Sequence, residues 1–207
     1  MNIVEFLANN EYMIVLKVNC IAIFLVVVVI YFIAYIRKRG NCHMDNRSLV
    51  VDEVSLGIGD NKVKLKYNKK DQEIAYKLWV ELSTRKIGLE FDPKNDVIFE
   101  VYDSWHEFFT IARELMKEIP VEKLDGSSKL IELTEMVLNK GLRPHLTVWQ
   151  AKFRKWYNNA NENDIEKTPQ QIQAMYPYYE ELKTDLIDTN KRMIKYKELM
   201  ERIVFER

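Results

Sequence analysis

Apolar residues run almost unbroken from Val18 to Ile36, VNCIAIFLVVVVIYFIAYI, and nowhere else does the chain lose its polar positions for so long. Nineteen residues without a charge make about 28 Å of helix, close to the hydrocarbon thickness of a bilayer. A domain of this size has no use for a helix apolar on every side. The stretch therefore predicts a single transmembrane anchor. It divides the chain into a short extracytoplasmic N-terminus (1–17), the span (18–36), a juxtamembrane linker (37–46) and a cytoplasmic domain (47–207).

Past the linker the pattern becomes periodic. Val63, Leu65 and Tyr67 alternate with Lys62, Lys64 and Lys66, the period-2 signature of a half-buried strand. Gly57 to Asn61 separate this run from the β-like run that starts at Leu49, which predicts a hairpin over 49–67. The triplet Gly57-Ile58-Gly59 has no third glycine, no Lys-Ser/Thr pair and no helix directly after it, so it reads as a turn rather than a phosphate loop. Val97 to Tyr102, VIFEVY, is short and β-rich and is expected to join the hairpin as a third antiparallel strand.

The remaining periodicity is helical. Helices are predicted over 69–87, 103–119, 127–140, 145–158 and 178–205. Asn68 caps the first and Gly88 closes it. Asp103 or Ser104 caps the second, and Pro120 ends it. Gly141 ends the third. Thr168-Pro169-Gln170-Gln171 opens a further short helix, with Thr168 as N-cap and Gln171 at N3, and Pro177 interrupts it. In the last helix Leu182, Leu186, Thr189, Met193, Tyr196, Met200 and Ile203 form a heptad seam. The seam can be buried against the stripes of 105–119 and 142–156 in the same chain, or against a copy of itself. Thr189 and Tyr196 suit an irregular intrachain bundle better than a coiled-coil interior. The fold class expected is thus α+β, mostly α: an N-terminal transmembrane helix, then a helical domain with a small three-stranded antiparallel sheet.

Charge sets the orientation of the span. Arg37, Lys38 and Arg39 follow it directly, whereas Lys17 precedes it together with Glu5 and Glu11. Positive residues stay inside, which puts the N-terminus outside and the domain in the cytoplasm, at an inner membrane. A cleaved signal peptide fits worse, for want of a basic n-region and an A-x-A site. Residues 37–207 carry 30 basic and 29 acidic side chains, so no net positive charge favours non-specific nucleic-acid binding. The two cysteines, Cys20 and Cys42, cannot build a disulfide framework and suit a reducing compartment. Cys42 and His43 have no second ligand pair at useful spacing, so no metal site is expected.

No catalytic constellation emerges: no nucleophile elbow, H-E-x-x-H, C-x-x-C or P-loop. One stretch is richer than packing alone demands. Arg143 to Tyr157 holds two Trp, a His, a Gln and an Arg pair. Trp149, Phe153 and Trp156 fall on one apolar stripe and read as core. Arg143 and His145 at a loop-to-helix junction, with Gln150 and Arg154, are the candidate binding residues, since aromatic and Arg side chains anchor partners and nucleotides well.

The runs KLWVELSTRKIGL (77–89), VYDSWHEFF (101–109) and LRPHLTVWQAKFRKWY (142–157) resemble segments of small bacterial proteins with one membrane span and a helical cytoplasmic domain, found among anti-phage defence and mobile-element genes. That resemblance carries no catalytic residue with it. It implies a bacterial inner-membrane protein, and with the anchor it gives the expected function: a membrane-tethered, non-catalytic interaction or sensing module. The alternatives are an oligomerising membrane-disrupting effector, and an enzyme acting on a nucleotide or RNA. The expected partners are membrane lipid around 18–36, and a protein partner or a second copy. A nucleotide is the candidate small ligand, and no cofactor is expected.

Overall fold

Asn68 ends a strand and starts a helix through the hydrogen bonds its short side chain can make. In the computed structural model its Oδ1 accepts from the backbone N–H groups of Lys70 (2.8 Å) and Asp71 (3.1 Å), and the Asp71 carboxylate accepts in return from the Asn68 N–H (2.8 Å). The capping box predicted at Thr168 forms in the same way, with Gln171 as its N3 partner. The structure describes residues 23–35 and 47–205, in two units, Met1–His43 and Met44–Arg207.

The first unit contributes helix α1, residues 23–35. Its side chains are exposed on every side, from Val28 at 43% to Tyr31 at 75%. Among the described residues no helix is long and apolar enough to cross a membrane. Helix α1 has the composition for a span, but at 1.5 Å per residue it extends only about 20 Å. The remainder of the expected span, and the segments 1–17 and 37–46, lie outside the described residues.

The second unit is mostly helical with a small antiparallel sheet. Strands β1 (Arg47–Asp52) and β2 (Lys62–Tyr67) pair with Leu49 opposite Leu65 and Val51 opposite Val63. The short helix α2 (Glu53–Leu56) lies between them. Gly57 follows in the left-handed region at φ 66°, where a side chain would be strained and would also meet Arg192. The hairpin thus forms as the pattern predicts, but its connection begins with a short helix that the pattern does not show.

Helix α3 (Lys69–Thr84) then leads to α4 (Ile98–Lys117). Arg85 caps α3, and Gly88 lies in the turn beyond it rather than closing the helix, its N–H donating to the Arg85 carbonyl at 3.1 Å. The expected third strand does not exist: 98–102 are the first turns of α4, and the sheet has two strands. Ile98, Val101 and Tyr102 are buried in line with Trp105, Phe108, Ala112 and Leu115, one continuous helical stripe. The helix can start there because Gln173, fully buried, takes over a backbone partner. Its Oε1 accepts from the Ile98 N–H (2.8 Å), and its Nε2 donates to the Asp96 carbonyl (2.9 Å). Packing and this amide override the β-propensity of VIFEVY. Asp103 and Ser104 therefore lie within the helix and do not cap it.

After a 3-10 turn at Val121–Lys123, a single helical run follows instead of two separate helices. It passes through α5 (Leu124–Met136), a π-helix at Val137–Leu142, α6 (Arg143–His145), a second π-helix at Leu146–Gln150, and α7 (Ala151–Asn163). Gly141 does not terminate anything. A Cβ there would stand 3.3 Å from the Leu56 carbonyl oxygen and 3.4 Å from Met193 Cε, so glycine permits a close approach of α2 and α9. Helix α8 (Pro169–Ala174) and the long α9 (Tyr179–Phe205) complete the unit.

All seven seam residues of α9 are buried within the chain. Helix α9 packs chiefly along α3. Asn190, also buried, pins the loop after α3: its Nδ2 donates to the carbonyls of Ile87 and Leu89 (both 3.0 Å), and its Oδ1 accepts from the Phe91 N–H (3.1 Å). The seam is thus core within this chain, as the intrachain reading expects.

Candidate binding groove

Pro144 lacks a backbone N–H, and its ring crowds the carbonyl four residues earlier. The chain passes it without breaking because the turns on both sides widen to π geometry. Such bulges recur at functional sites because they re-aim side chains. Here residues two positions apart are sent to different places: Arg143 is exposed, while His145 is 2% exposed.

The Arg143 guanidinium lies over the Phe109 ring, 4.9 Å from its centroid, and its Nε donates to Asn139 Oδ1 at 3.0 Å. Arg113, one turn beyond Phe109 on α4, lies over the same ring at 5.6 Å. Among the described residues neither arginine has a carboxylate within 4 Å. Two adjoining grooves share Phe109, Arg113 and Arg143. One, of about 350 Å³, is polar, with His106, Thr110, Thr147 and Gln150 around Leu146. The other, of about 360 Å³, is more apolar and is bordered by Met116, Ile131 and Leu138, with Lys117 and Glu135 also in its lining. The Gln150 side chain makes no hydrogen bond among the described residues.

His145 faces the interior. Its Nδ1 is 2.8 Å from Asp185 Oδ2, its Nε2 is 3.0 Å from the Tyr102 hydroxyl, and Trp149 Nε1 donates to the same Asp185 oxygen at 2.9 Å. A carboxylate only accepts, so Nδ1 carries the hydrogen and Nε2 accepts from Tyr102. Burial lowers the pKa of His145 against the opposing pull of Asp185, and burial holds the Tyr102 hydroxyl protonated by raising its pKa. The order Tyr-His-Asp resembles a nucleophilic relay. Tyr102 is fully buried, however, so its oxygen cannot meet a substrate. The network instead holds α4, α6 and α9 together beneath the groove.

Arg154 stands apart again. It donates to Asp103 Oδ1 at 2.7 Å and lies over Phe99 at 5.0 Å. Of the four candidate residues the structure therefore brings Arg143 and Gln150 to one groove, buries His145 behind it, and ties Arg154 into an ion pair. Sequence reasoning missed Phe109, Arg113, His106 and Thr147. A signal for this face was present: residues 137–161 contain Lys140, Arg143, Lys152, Arg154 and Lys155 and not one carboxylate, in a chain with balanced charge. Among the described residues no group of three or more His, Cys, Asp or Glu could hold a metal ion.

Comparison with known proteins gives little. No family model matches the chain, and no solved structure matches it. One curated protein, human Protein ANKUB1, is 34% identical over 87 residues, which cover 34% of this chain and 17% of that protein. The chain thus spans about a sixth of the length of the relative it matches.

Proposed function

We propose that this chain is a non-catalytic interaction or sensing module, tethered to a membrane by its apolar N-terminal run, that recognises an anionic ligand through the Phe109 groove. The observation that carries the reading is that two arginines, each over the Phe109 ring and with no carboxylate within 4 Å among the described residues, line the same groove. Guanidinium groups that a protein does not pair internally, preset by stacking and a hydrogen bond, suit a ligand's oxyanion. The tether rests on the uncharged run 18–36 and on the exposure of α1 on all sides. The resemblance to membrane proteins of bacterial defence clusters supplies the setting. The non-catalytic part rests on His145, whose two ring nitrogens are both engaged inside the protein. The seam residues of α9 are used inside the chain, which favours the module reading over the oligomerising effector.

Each half has its own test. Carbonate-washed membranes should retain the full chain and lose a chain without residues 18–36; a soluble full chain would overturn the tether. The detergent-solubilised full chain should bind poly-L-glutamate resin at low salt. The Arg113→Ala/Arg143→Ala variant should not, at an unchanged melting temperature. Equal retention of both would overturn the groove.

A further inference from the structure

From the placement of the two arginines we infer that the groove binds an organic phosphate, with its phosphoryl group held by Arg113 and Arg143. This rests on the reading of the groove as an anion site and names the class of anion. Two features select it. The first is donor supply. Arg143 spends its Nε on Asn139 and keeps its four terminal N–H donors, and Arg113 adds a second fork. A carboxylate is satisfied by one fork, whereas a phosphoryl group has three oxygens to share between two. Thr147 borders the same space, as does Thr110, whose hydroxyl donates to the His106 carbonyl at 3.3 Å.

The second feature is the position of the pair between two unlike grooves. The polar groove takes the phosphoryl oxygens. The adjoining one, with Met116, Ile131 and Leu138 along it and Lys117 and Glu135 at its edge, takes the organic body. Each volume is at the lower end of those used for small ligands. Phe109 has its ring occupied by guanidinium groups, so it presets the arginines and does not itself stack on the ligand. Two kinds of molecule share this chemistry, a soluble phosphate monoester and the headgroup of a phosphomonoester lipid.

Calorimetry on the full chain in detergent micelles tests this with four ligands: inorganic phosphate, AMP, a short-chain phosphatidate and poly-L-glutamate. At least one organic phosphate should bind ten times more tightly than inorganic phosphate. AMP as the tighter of the two identifies a soluble ligand, and phosphatidate a lipid headgroup. Arg143→Lys keeps the charge and loses the fork, and should weaken binding at least tenfold. Lys152→Ala removes a charge from the same run outside the groove, and should change binding less than twofold. Poly-L-glutamate binding with no organic phosphate binding would overturn the inference and leave the anion site standing. Failure of all four ligands would overturn both. Equal weakening by Arg143→Lys and Lys152→Ala would reduce the site to diffuse charge and overturn the inference as well.

Discussion

Arg143 and Arg154 sit on one helical run, and each lies over a phenylalanine of α4, at 4.9 and 5.0 Å. They differ in what completes the corner. Arg154 has Asp103 at 2.7 Å, whereas Arg143 has only the neutral Asn139. The ring presets both guanidinium groups, and the acid spends one of them. An arginine paired to its own protein is a fastener, and the same arginine beside an amide keeps its charge for another molecule.

The largest effect removes the frame that both corners share. Met193→Asp puts a carboxylate into the fully buried centre of α9. It should cost more than about 4 kcal/mol, because the charge finds neither water nor a partner. Chemical denaturation of the full chain measures it, and a small shift would show that α9 packs less tightly than its burial implies. Gln173→Ala is next. It leaves the buried Ile98 N–H without an acceptor and should cost about 1–3 kcal/mol. It also separates the corners: the first turns of α4, which carry Phe99 and Asp103, should exchange amide hydrogens faster, while Phe109 to Lys117 stay protected. Equal loss at both ends would make α4 one indivisible unit.

Acid should act through His145, which lies behind the groove. Its folded pKa is depressed below 6.5, chiefly by burial. As pH falls through the ordinary histidine range the unfolded chain takes up a proton and the folded one does not. Stability should therefore fall from about pH 7 downward until the folded pKa is reached. His145→Gln should lack that slope in melting curves, and an unchanged slope would assign it to other groups. The smallest stability effect makes the sharpest comparison. Asn139→Asp places an acid beside Arg143 and turns it into a second Arg154 corner. An exposed ion pair is worth at most about 1 kcal/mol, so the melting temperature should barely move. Retention on polyanion resin should nevertheless drop at least tenfold.

Local rules made much of this fold legible. The caps at Asn68 and Thr168 depend on side chains two or three residues from the groups they satisfy, and both form as read. The α9 seam and the hairpin follow their periods. The errors arise where the deciding partner is far along the chain. Nothing near VIFEVY reveals that Gln173, 75 residues on, will accept from Ile98. Nothing near Gly141 reveals that Leu56 and Met193 will press against it. The groove was half legible for the same reason: Arg143 and Gln150 are in one run, but Phe109 and Arg113 reach them only through the packing of α4 beside the π turns.

The dependence of α3 on α9 also sets a clock on synthesis. Leu78 and Leu82 on α3 are fully covered in the folded molecule, yet the helix they pack along, Tyr179–Phe205, is translated well after them. At roughly 5–20 residues per second, α3 waits between about 5 and 20 seconds for its partner. For that interval the nascent chain presents an apolar helix face, and the carbonyls of Ile87 and Leu89 lack the amide of Asn190. A holdase that binds apolar segments at the ribosome would find α3 exposed until α9 has emerged to cover it.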